Sequence, residues 1–323
     1  MIIKPTVFVL GAGASMPYGF PSGWNLVKDT VSIGKNLTGK WLEHLYFLNK
    51  NFQSDQVKEF VDALFLSSRS SIDAFLEYRH EYIEIGKASI ALLLCNYETH
   101  ENLFDFRKRT KGCYHYLFNK LISDWKRFSE NKVSFITFNY DRSLEHFLFT
   151  SLRNTFGKSK NECAEQVHRI PIIHVHGSLG NLSWQAADGI PYGAVDEDTN
   201  ERTDKNILSA AKQIKIITED RVKSDEFQKA HQLLSESERI YFLGFGYDPI
   251  NMERLGIQTL SSKARIMQLD MDGKPTRIAS PLQGTGLGLE IAETRSIQEK
   301  WGVSIPDNSS DSLTFLRKYA DLD

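Results

Sequence analysis

The sequence contains few cysteines and no metal-binding cysteine pattern. Its 323 residues include three cysteines, Cys95, Cys113 and Cys163, and their wide separation leaves no CxxC pair and no zinc-ribbon spacing. We therefore expect free thiols in a reducing compartment and no bound metal.

Charge imbalance and long apolar runs are also absent. The formal net charge of −2 lacks the basic excess that is typical of nucleic-acid-binding proteins. No run approaches the roughly 20 apolar residues of a membrane span, and the short amino-terminal run lacks a signal-peptide cleavage pattern. These features predict a cytoplasmic protein that binds neither nucleic acid nor a membrane directly.

Apolar runs without polar alternation predict buried strands, and helical patterns separate several of them. The predicted strands are Val7–Leu10, Val133–Phe138, Ile170–Val175, Ile214–Ile217, Ile240–Leu243 and Ala264–Leu269. The helical patterns cover about 142–152, 205–213, 224–237 and 312–320. Since strands that alternate with helices are typical of parallel sheets, we predict an α/β fold with a doubly wound, mainly parallel, Rossmann-like sheet.

A long helical segment interrupts this alternation. One apolar helix face within it is formed by Val57, Phe60, Val61, Leu64 and Phe65. A single crossover connection between two parallel strands does not need so many helices. We therefore interpret residues 24–129 as an inserted helical subdomain. Residues 1–23 and 130–275 then form the Rossmann-like core, and residues 276–323 form a carboxyl-terminal extension that contacts an oligomer or a partner.

Glycine and polar residues directly follow four of the predicted strands. They are Gly11-Ala12-Gly13-Ala14-Ser15, Asn139-Tyr140-Asp141, His176-Gly177-Ser178 and Gly244-Phe245-Gly246-Tyr247-Asp248. In open parallel sheets, ligands bind beyond the carboxyl ends of the strands. Glycines after the first strand let the backbone turn tightly and approach a phosphate, so we expect these strand ends to share one cleft.

Several of these residues also have an ordinary structural interpretation. Asp141 precedes a helical pattern, so an N-cap role and a ligand role are equally compatible with it. Asn139 alone fits an Asx turn, and His174 fits a structural histidine better than a metal ligand. Ser71 or Asp73 is a candidate cap for the helix that follows. The segment 284–290, GTGLGLE, is interpreted as a loop.

A dinucleotide-binding dehydrogenase is disfavoured by the residues after the first strand. Its fingerprint requires a third glycine, for close packing of helix on strand, at the position of Met16. It also requires a second strand soon afterwards that ends in an acidic residue, whereas a proline-rich loop and helical patterns follow here.

Several short motifs together resemble the sirtuin superfamily and, more closely, the bacterial SIR2-like branch that hydrolyses NAD⁺ in antiphage defence. They are GAGAS at 11–15 with the following PSG, SIDAFL at 71–76, TFNYD at 137–141, HVHGS at 174–178 and FLGFGYD at 242–248. The resemblance runs in order from residue 7 to about residue 255, which is most of the chain.

The resemblance implies an NADase that cleaves the nicotinamide–ribose bond of NAD⁺, its substrate, to give nicotinamide and ADP-ribose. Asn139 and His176 are then catalytic, with Asp141 in support. The residues implied to bind NAD⁺ are Gly11, Ala12, Gly13, Ala14, Ser15, Pro21, Gly177, Ser178, Gly244, Phe245, Gly246 and Tyr247.

Three departures distinguish the chain from the protein deacylases of that superfamily. Phe138 replaces the glutamine of a QNID-like element, and FPSGW at 20–24 replaces an IPDFR-like stretch. No cysteine follows Cys163, so the four-cysteine zinc module is missing. Two other functions stay open: an NAD-dependent deacylase or ADP-ribosyltransferase, and a non-catalytic sensor that binds NAD⁺ or ADP-ribose.

Regulation by assembly follows from the expected activity, because an unregulated NADase would kill its host. The resemblance implies a homo-oligomer and, in trans, a separately encoded sensor such as a HerA-like ATPase or a short Argonaute.

Overall fold

Five strands form one sheet at the centre of the fold. They are β1 (Thr6–Leu10), β2 (Val133–Thr137), β3 (Ile172–His174), β4 (Arg239–Leu243) and β5 (Leu282–Gly284). The structure, a computed structural model, describes residues 1–36, 38–107, 111–196, 199, 201–216, 224–260 and 282–322. The strand order is β3-β2-β1-β4-β5 and every neighbouring pair is parallel, so the five carboxyl ends lie at one edge.

Strand β1 lies in the middle of the sheet and is buried on both faces. Its side chains alternate between two apolar cores, with Phe8 and Leu10 in one and Val7 and Val9 in the other. Helices cover both faces, which explains why the strand is almost entirely apolar. The predicted α/β fold with a doubly wound parallel sheet is confirmed.

Helices flank the sheet and are numbered in chain order. They include α1 (Ala12–Ser15), α2 (Gly23–Lys35), α3 (Lys40–Asn51), α4 (Ser54–Leu66), α5 (Ile72–Leu76), α6 (Ile83–Tyr97), α7 (His100–Phe104), α8 (Tyr114–Leu121), α9 (Ser143–Phe156), α10 (Lys160–His168), α11 (Asp204–Gln213), α12 (Asp225–Glu236), α13 (Pro249–Arg254), α14 (Ile291–Trp301) and α15 (Ser312–Lys318). Within the described ranges, no helix combines the length and the apolar character that crossing a membrane requires.

Helices α2 to α8 occupy the chain between β1 and β2, where the sequence predicts helices. The buried face of α4 is formed by Val57, Phe60, Val61 and Leu64. Phe65, which was expected on the same face, is instead 54 % exposed, with the Lys35 ammonium group over its ring. This helical segment shares an apolar core with the sheet, since Phe60 and Phe8 belong to the same buried cluster.

Two predicted strands have different outcomes. The strand predicted at Ile214–Ile217 is wrong, because Ile214 directly follows α11 and makes one isolated antiparallel bridge, to Gly177. The apolar character of Ile214 and Ile216 reflects burial in the core and not pairing in the sheet. The strand predicted at Ala264–Leu269 lies outside the described residues.

Two elements near the carboxyl terminus were not predicted. Strand β5 has only three residues, none of them β-branched, and α14 buries only Ile297 and Trp301, so neither produces a strong apolar pattern. Helix α15 lies in the region predicted to be helical. It places Phe315 against Tyr241 of β4, with ring centroids 6.1 Å apart, so this part of the extension packs on the sheet.

A buried ion pair joins the helical segment to the end of β2. Arg142, which follows the TFNYD motif, donates from Nη2 to Glu98 Oε2 at 2.5 Å and from Nε to Glu98 Oε1 at 3.1 Å. Its Nη1 donates to the Ile190 carbonyl at 2.7 Å, and Nη2 donates to the Pro191 carbonyl at 3.1 Å. The two side chains are 1 % and 0 % exposed. Loss of either charge would therefore leave the other buried without compensation.

We predict that Glu98→Gln lowers the free energy of unfolding by about 3–5 kcal/mol, because it leaves the Arg142 charge buried and unpaired. Urea unfolding measures the change. The matched control is Glu165→Gln, since the Glu165–Arg169 pair is 67 % and 54 % exposed and should cost at most about 1 kcal/mol. Equal losses in the two variants would show that the buried pair has no special role.

Candidate active site

The turns after β1 and β4 are in direct backbone contact at the carboxyl edge of the sheet. The Gly11 N–H donates to the Leu243 carbonyl at 3.1 Å, and the Gly13 N–H donates to the Gly244 carbonyl at 2.9 Å. Residues Ala12–Ser15 form the single-turn helix α1, with Gly11 at its N-cap. These two strand ends therefore meet.

Close packing explains the glycines at this contact. A Cβ atom on Gly11 would lie 2.6 Å from the Gly244 carbonyl oxygen, and one on Gly13 would lie 2.7 Å from the Gly244 Cα. Gly244 has a φ of +57°, and a Cβ atom there would overlap the backbone of Gly13 and Ala14. Backbone packing within the protein thus requires all three glycines, whether or not a phosphate binds beside them.

Asn139 links the end of β2 to the same turn. Its Nδ2 donates to the Gly11 carbonyl at 3.0 Å and to Ser15 Oγ at 3.2 Å. Its main-chain N–H donates to Thr137 Oγ1 at 3.0 Å. These bonds hold the amide in one orientation, in which Oδ1 is the side-chain atom that can accept a hydrogen bond from a ligand.

His174 supports Asn139 from the neighbouring strand. Its Nδ1 donates to the Asn139 carbonyl at 2.8 Å, and its Nε2 lies 2.6 Å from Glu145 Oε1. Burial alone would lower the pKa of His174, but the charge and hydrogen bond of Glu145 outweigh burial and raise that pKa. Both ring nitrogens therefore face acceptors, and His174 has the structural role that its position in the sequence favours.

A small cavity lies between the strand ends and the helical segment, with a volume of about 100 Å³. Its polar lining residues are Ser15, Ser22, Asp73, Asn139, Tyr140 and Asp141. Its apolar wall includes Ala12, Phe20, Pro21, Leu26, Leu94 and Phe138. An engineered apolar cavity of about 150 Å³ in another protein holds one benzene molecule. The present cavity is smaller than that one, so a ring would fill it and extend through its open side, and a whole dinucleotide does not fit inside it.

Two buried carboxyl groups line this cavity. Asp141 accepts from the Ser143 N–H at 3.1 Å and from the Ser143 hydroxyl, so it caps the first turn of α9 while it also lines the cavity. Asp73 accepts from the Tyr140 hydroxyl. Burial raises the pKa of each carboxyl group, although hydrogen bonds from the hydroxyls of Ser143 and Tyr140 oppose the shift.

His176 lies behind Phe138 and does not line the cavity. Its ring centroid is 5.2 Å from that of Phe138, 6.5 Å from that of Tyr140 and 6.3 Å from that of Phe227. Burial lowers the pKa of His176 to about 3, and the charge of Arg254 contributes. Among the described residues, no hydrogen-bond partner faces its buried Nε2 atom. His176 thus packs against Phe138 and Tyr140, the two residues that flank Asn139 in the sequence.

Gly177 and Ser178 have structural contacts away from the cavity. Gly177 has a φ of +71°, and a Cβ atom there would overlap the Gln213 carbonyl oxygen at the end of α11. The Ser178 hydroxyl accepts from the Gly180 N–H at 3.1 Å. Neither residue is among those that line the cavity.

The loop after β4 lies beyond the cavity and is held by a residue that sequence reasoning missed. Thr285 Oγ1 accepts from the Gly244 N–H at 2.8 Å, and its carbonyl accepts from the Tyr247 hydroxyl at 3.0 Å. Phe245 packs on Phe138 with ring centroids 5.0 Å apart. Among the described residues, a Cβ atom on Gly246 would meet nothing within 4 Å, so these residues leave the loop open at that point.

Neither a metal-binding group among the described residues nor a match to a known family adds to this geometry. In the part of the chain that the structure describes, no group of three or more His, Cys, Asp or Glu residues is placed to hold a metal ion. Compared with models of protein families and with curated proteins, the chain matches none. The residues of the site are therefore the basis for a functional proposal.

We predict that Gly244→Ala lowers the free energy of unfolding by about 1–3 kcal/mol more than a glycine substitution that introduces only positive-φ strain. Gly157→Ala is the matched control, because Gly157 has a φ of +62° and a Cβ atom there would meet nothing within 4 Å. The control should cost about 1–2 kcal/mol. Urea unfolding of both variants measures the difference, and equal losses would contradict the packing explanation.

Proposed function

We propose that this chain is an NAD⁺ glycohydrolase of the bacterial SIR2-like kind, which consumes water and releases nicotinamide, ADP-ribose and a proton. The observation that carries the proposal is the position of Asn139. Its amide is held by Gly11 and Ser15, it lines a cavity of the size of one ring, and its neighbour Phe138 contacts the His176 ring.

The cavity is the proposed site of the nicotinamide ring. Its volume of about 100 Å³ and its mixed lining of apolar walls and carboxyl groups suit a flat ring with a polar substituent. Cleavage of the nicotinamide–ribose bond passes through a sugar with oxocarbenium character. The buried Asp141 carboxyl group, when ionised, would stabilise the positive charge that develops there.

Asn139 and His176 are the proposed catalytic residues. Asn139 Oδ1 would accept from a ribose hydroxyl or from the attacking water. His176 is neutral at pH 7, because burial lowers its pKa to about 3, so its imidazole can accept a hydrogen bond. To accept a proton as a general base, it would need the bound substrate to raise that pKa toward neutrality. A ribose hydroxyl or a water molecule beside its buried Nε2 atom would also supply the hydrogen-bond partner that this atom lacks among the described residues.

The ADP-ribose part of the substrate would extend from the cavity toward the loop after β4. The proposed diphosphate site is the GAGAS turn, where α1 begins, and the proposed adenosine site is Gly244–Tyr247. The open space at Gly246 supports this direction. Gly177 and Ser178 would then act by shaping the loop that carries His176.

Regulation and partners are part of the same proposal. We propose a cytoplasmic homo-oligomer whose activity is controlled by a separately encoded sensor, such as a HerA-like ATPase or a short Argonaute. The exposed Leu287 and Ile291, which are 63 % and 69 % exposed, would allow the carboxyl-terminal extension to contribute to such a contact.

We predict that the full-length protein, in its oligomeric state and incubated with NAD⁺, releases nicotinamide, and that Asn139→Ala and His176→Ala each lower the rate at least about 10²-fold. Chromatographic detection of nicotinamide measures the rate. His168→Ala is the control, since His168 lies at the exposed end of α10 and should leave the rate unchanged.

Wild-type turnover in the Asn139 and His176 variants would refute the site assignment. Turnover that requires an acylated or acceptor protein would favour a deacylase or transferase instead. Binding of NAD⁺ without release of nicotinamide, in the protein alone and in its oligomer, would favour a sensor.

A further inference from the structure

One carboxyl group of the cavity comes from the helical segment and not from a strand end. Asp73 lies in the first turn of α5, a helix that needs no cap from it, because Ser71 Oγ accepts from the Ala74 N–H at 3.2 Å. Asp73 is therefore available to line the cavity, opposite the residues that follow β2.

The Asp73 carboxyl group is held in place by a hydrogen bond from another residue of the cavity lining. Its Oδ1 accepts from the hydroxyl of Tyr140, which lines the same cavity. Asp141 is more fully bonded, because its Oδ1 accepts from Ser143 and its carboxyl group also has a hydrogen bond from Ser15. Two acceptor-rich side chains thus face a cavity whose lining contains no lysine and no arginine among the described residues.

We propose that Asp73 is a specificity-determining residue that selects a ring bearing a carboxamide and rejects the same ring bearing a carboxylate. The inference rests on the proposed function, in which this cavity takes the ring that leaves. A carboxamide donates N–H groups to a carboxyl oxygen, whereas a carboxylate on the ring has no N–H to donate and would bring a negative charge beside the acceptor oxygens of Asp73 and Asp141.

The size of the cavity makes this discrimination strong. In a volume of about 100 Å³ a bound ring has little room to turn its substituent away from the carboxyl groups, so the repulsion acts at short range. Burial already raises the pKa of Asp73, so a donated amide N–H would relieve an unfavourable environment. Selection by repulsion of the wrong ligand is a common source of specificity.

The test measures binding of nicotinamide and of nicotinic acid to the full-length protein by ligand-observed NMR, which does not depend on turnover. The wild-type protein should prefer the amide at least tenfold. Asp73→Asn keeps the shape of the side chain but removes its charge, and it should reduce that preference at least tenfold. Asp55→Asn, at an exposed position on α4, is the control and should leave the preference unchanged.

A second variant separates charge from local structure. Tyr140→Phe removes the hydrogen bond to Asp73 but keeps the carboxyl group, so it should retain a preference for the amide. Thermal melting checks that each variant is folded. The proposal is overturned if the wild-type protein binds neither ring, if it binds both equally, or if folded Asp73→Asn retains the full preference.

Turnover distinguishes this inference from the proposed function. The ratio of kcat/KM for NAD⁺ and for its nicotinic-acid counterpart should fall at least tenfold in Asp73→Asn. If the ring-binding results are as expected but the oligomeric protein does not cleave NAD⁺, the hydrolase proposal fails and the role of Asp73 in ring selection stands. If NAD⁺ is cleaved and neither ratio changes in Asp73→Asn, the role of Asp73 alone fails.

Discussion

The buried pair of Glu98 and Arg142 is the constraint on which the geometry of the site depends. Arg142 follows Asp141 directly, so fixing its guanidinium group also fixes the turn that carries Asn139 and Asp141. The same guanidinium group binds the carbonyls of Ile190 and Pro191, and Glu98 Oε2 accepts from the Gly193 N–H at 2.8 Å. One ion pair thus joins the helical segment, the end of β2 and a distant loop, and its burial makes the arrangement hard to deform.

The ends of β1 and β4 are held together by backbone contacts and not by long side chains. The turn after β1 packs on Gly244, and Asn139 completes the contact through Gly11 and Ser15. His174 bonds to the Asn139 carbonyl, and Glu145 bonds to the other ring nitrogen of His174. The Asn139 amide therefore has its orientation before any ligand arrives, and binding need not restrict a mobile side chain.

Apolar runs in the sequence predict most strands of the sheet. The features that they do not predict depend on contacts between residues far apart in the chain. Strands β1, β2 and β4 are continuous apolar runs, so their polar ends can be located from the sequence. The run that begins at Ile214 is also apolar, but it follows the end of a helix and is buried there without joining the sheet. Composition alone cannot distinguish such a buried segment from a strand. Asp73 was seen only as a candidate cap, because its contact with Tyr140 joins residues 67 positions apart. His176 shows the same limit, since the sequence could not predict that its ring packs against Phe138 and does not line the cavity.

The origin of Asp73 in the helical segment has a consequence for how such a protein could evolve. The residues proposed to break the bond follow the strands of the sheet, whereas the residue proposed to choose the ring belongs to α5. Substitutions in α5 could therefore alter which molecules are accepted while the bond-breaking residues stay unchanged. In such an arrangement, substitutions in one short helix could change the substrate while the protein keeps its catalytic activity at each step.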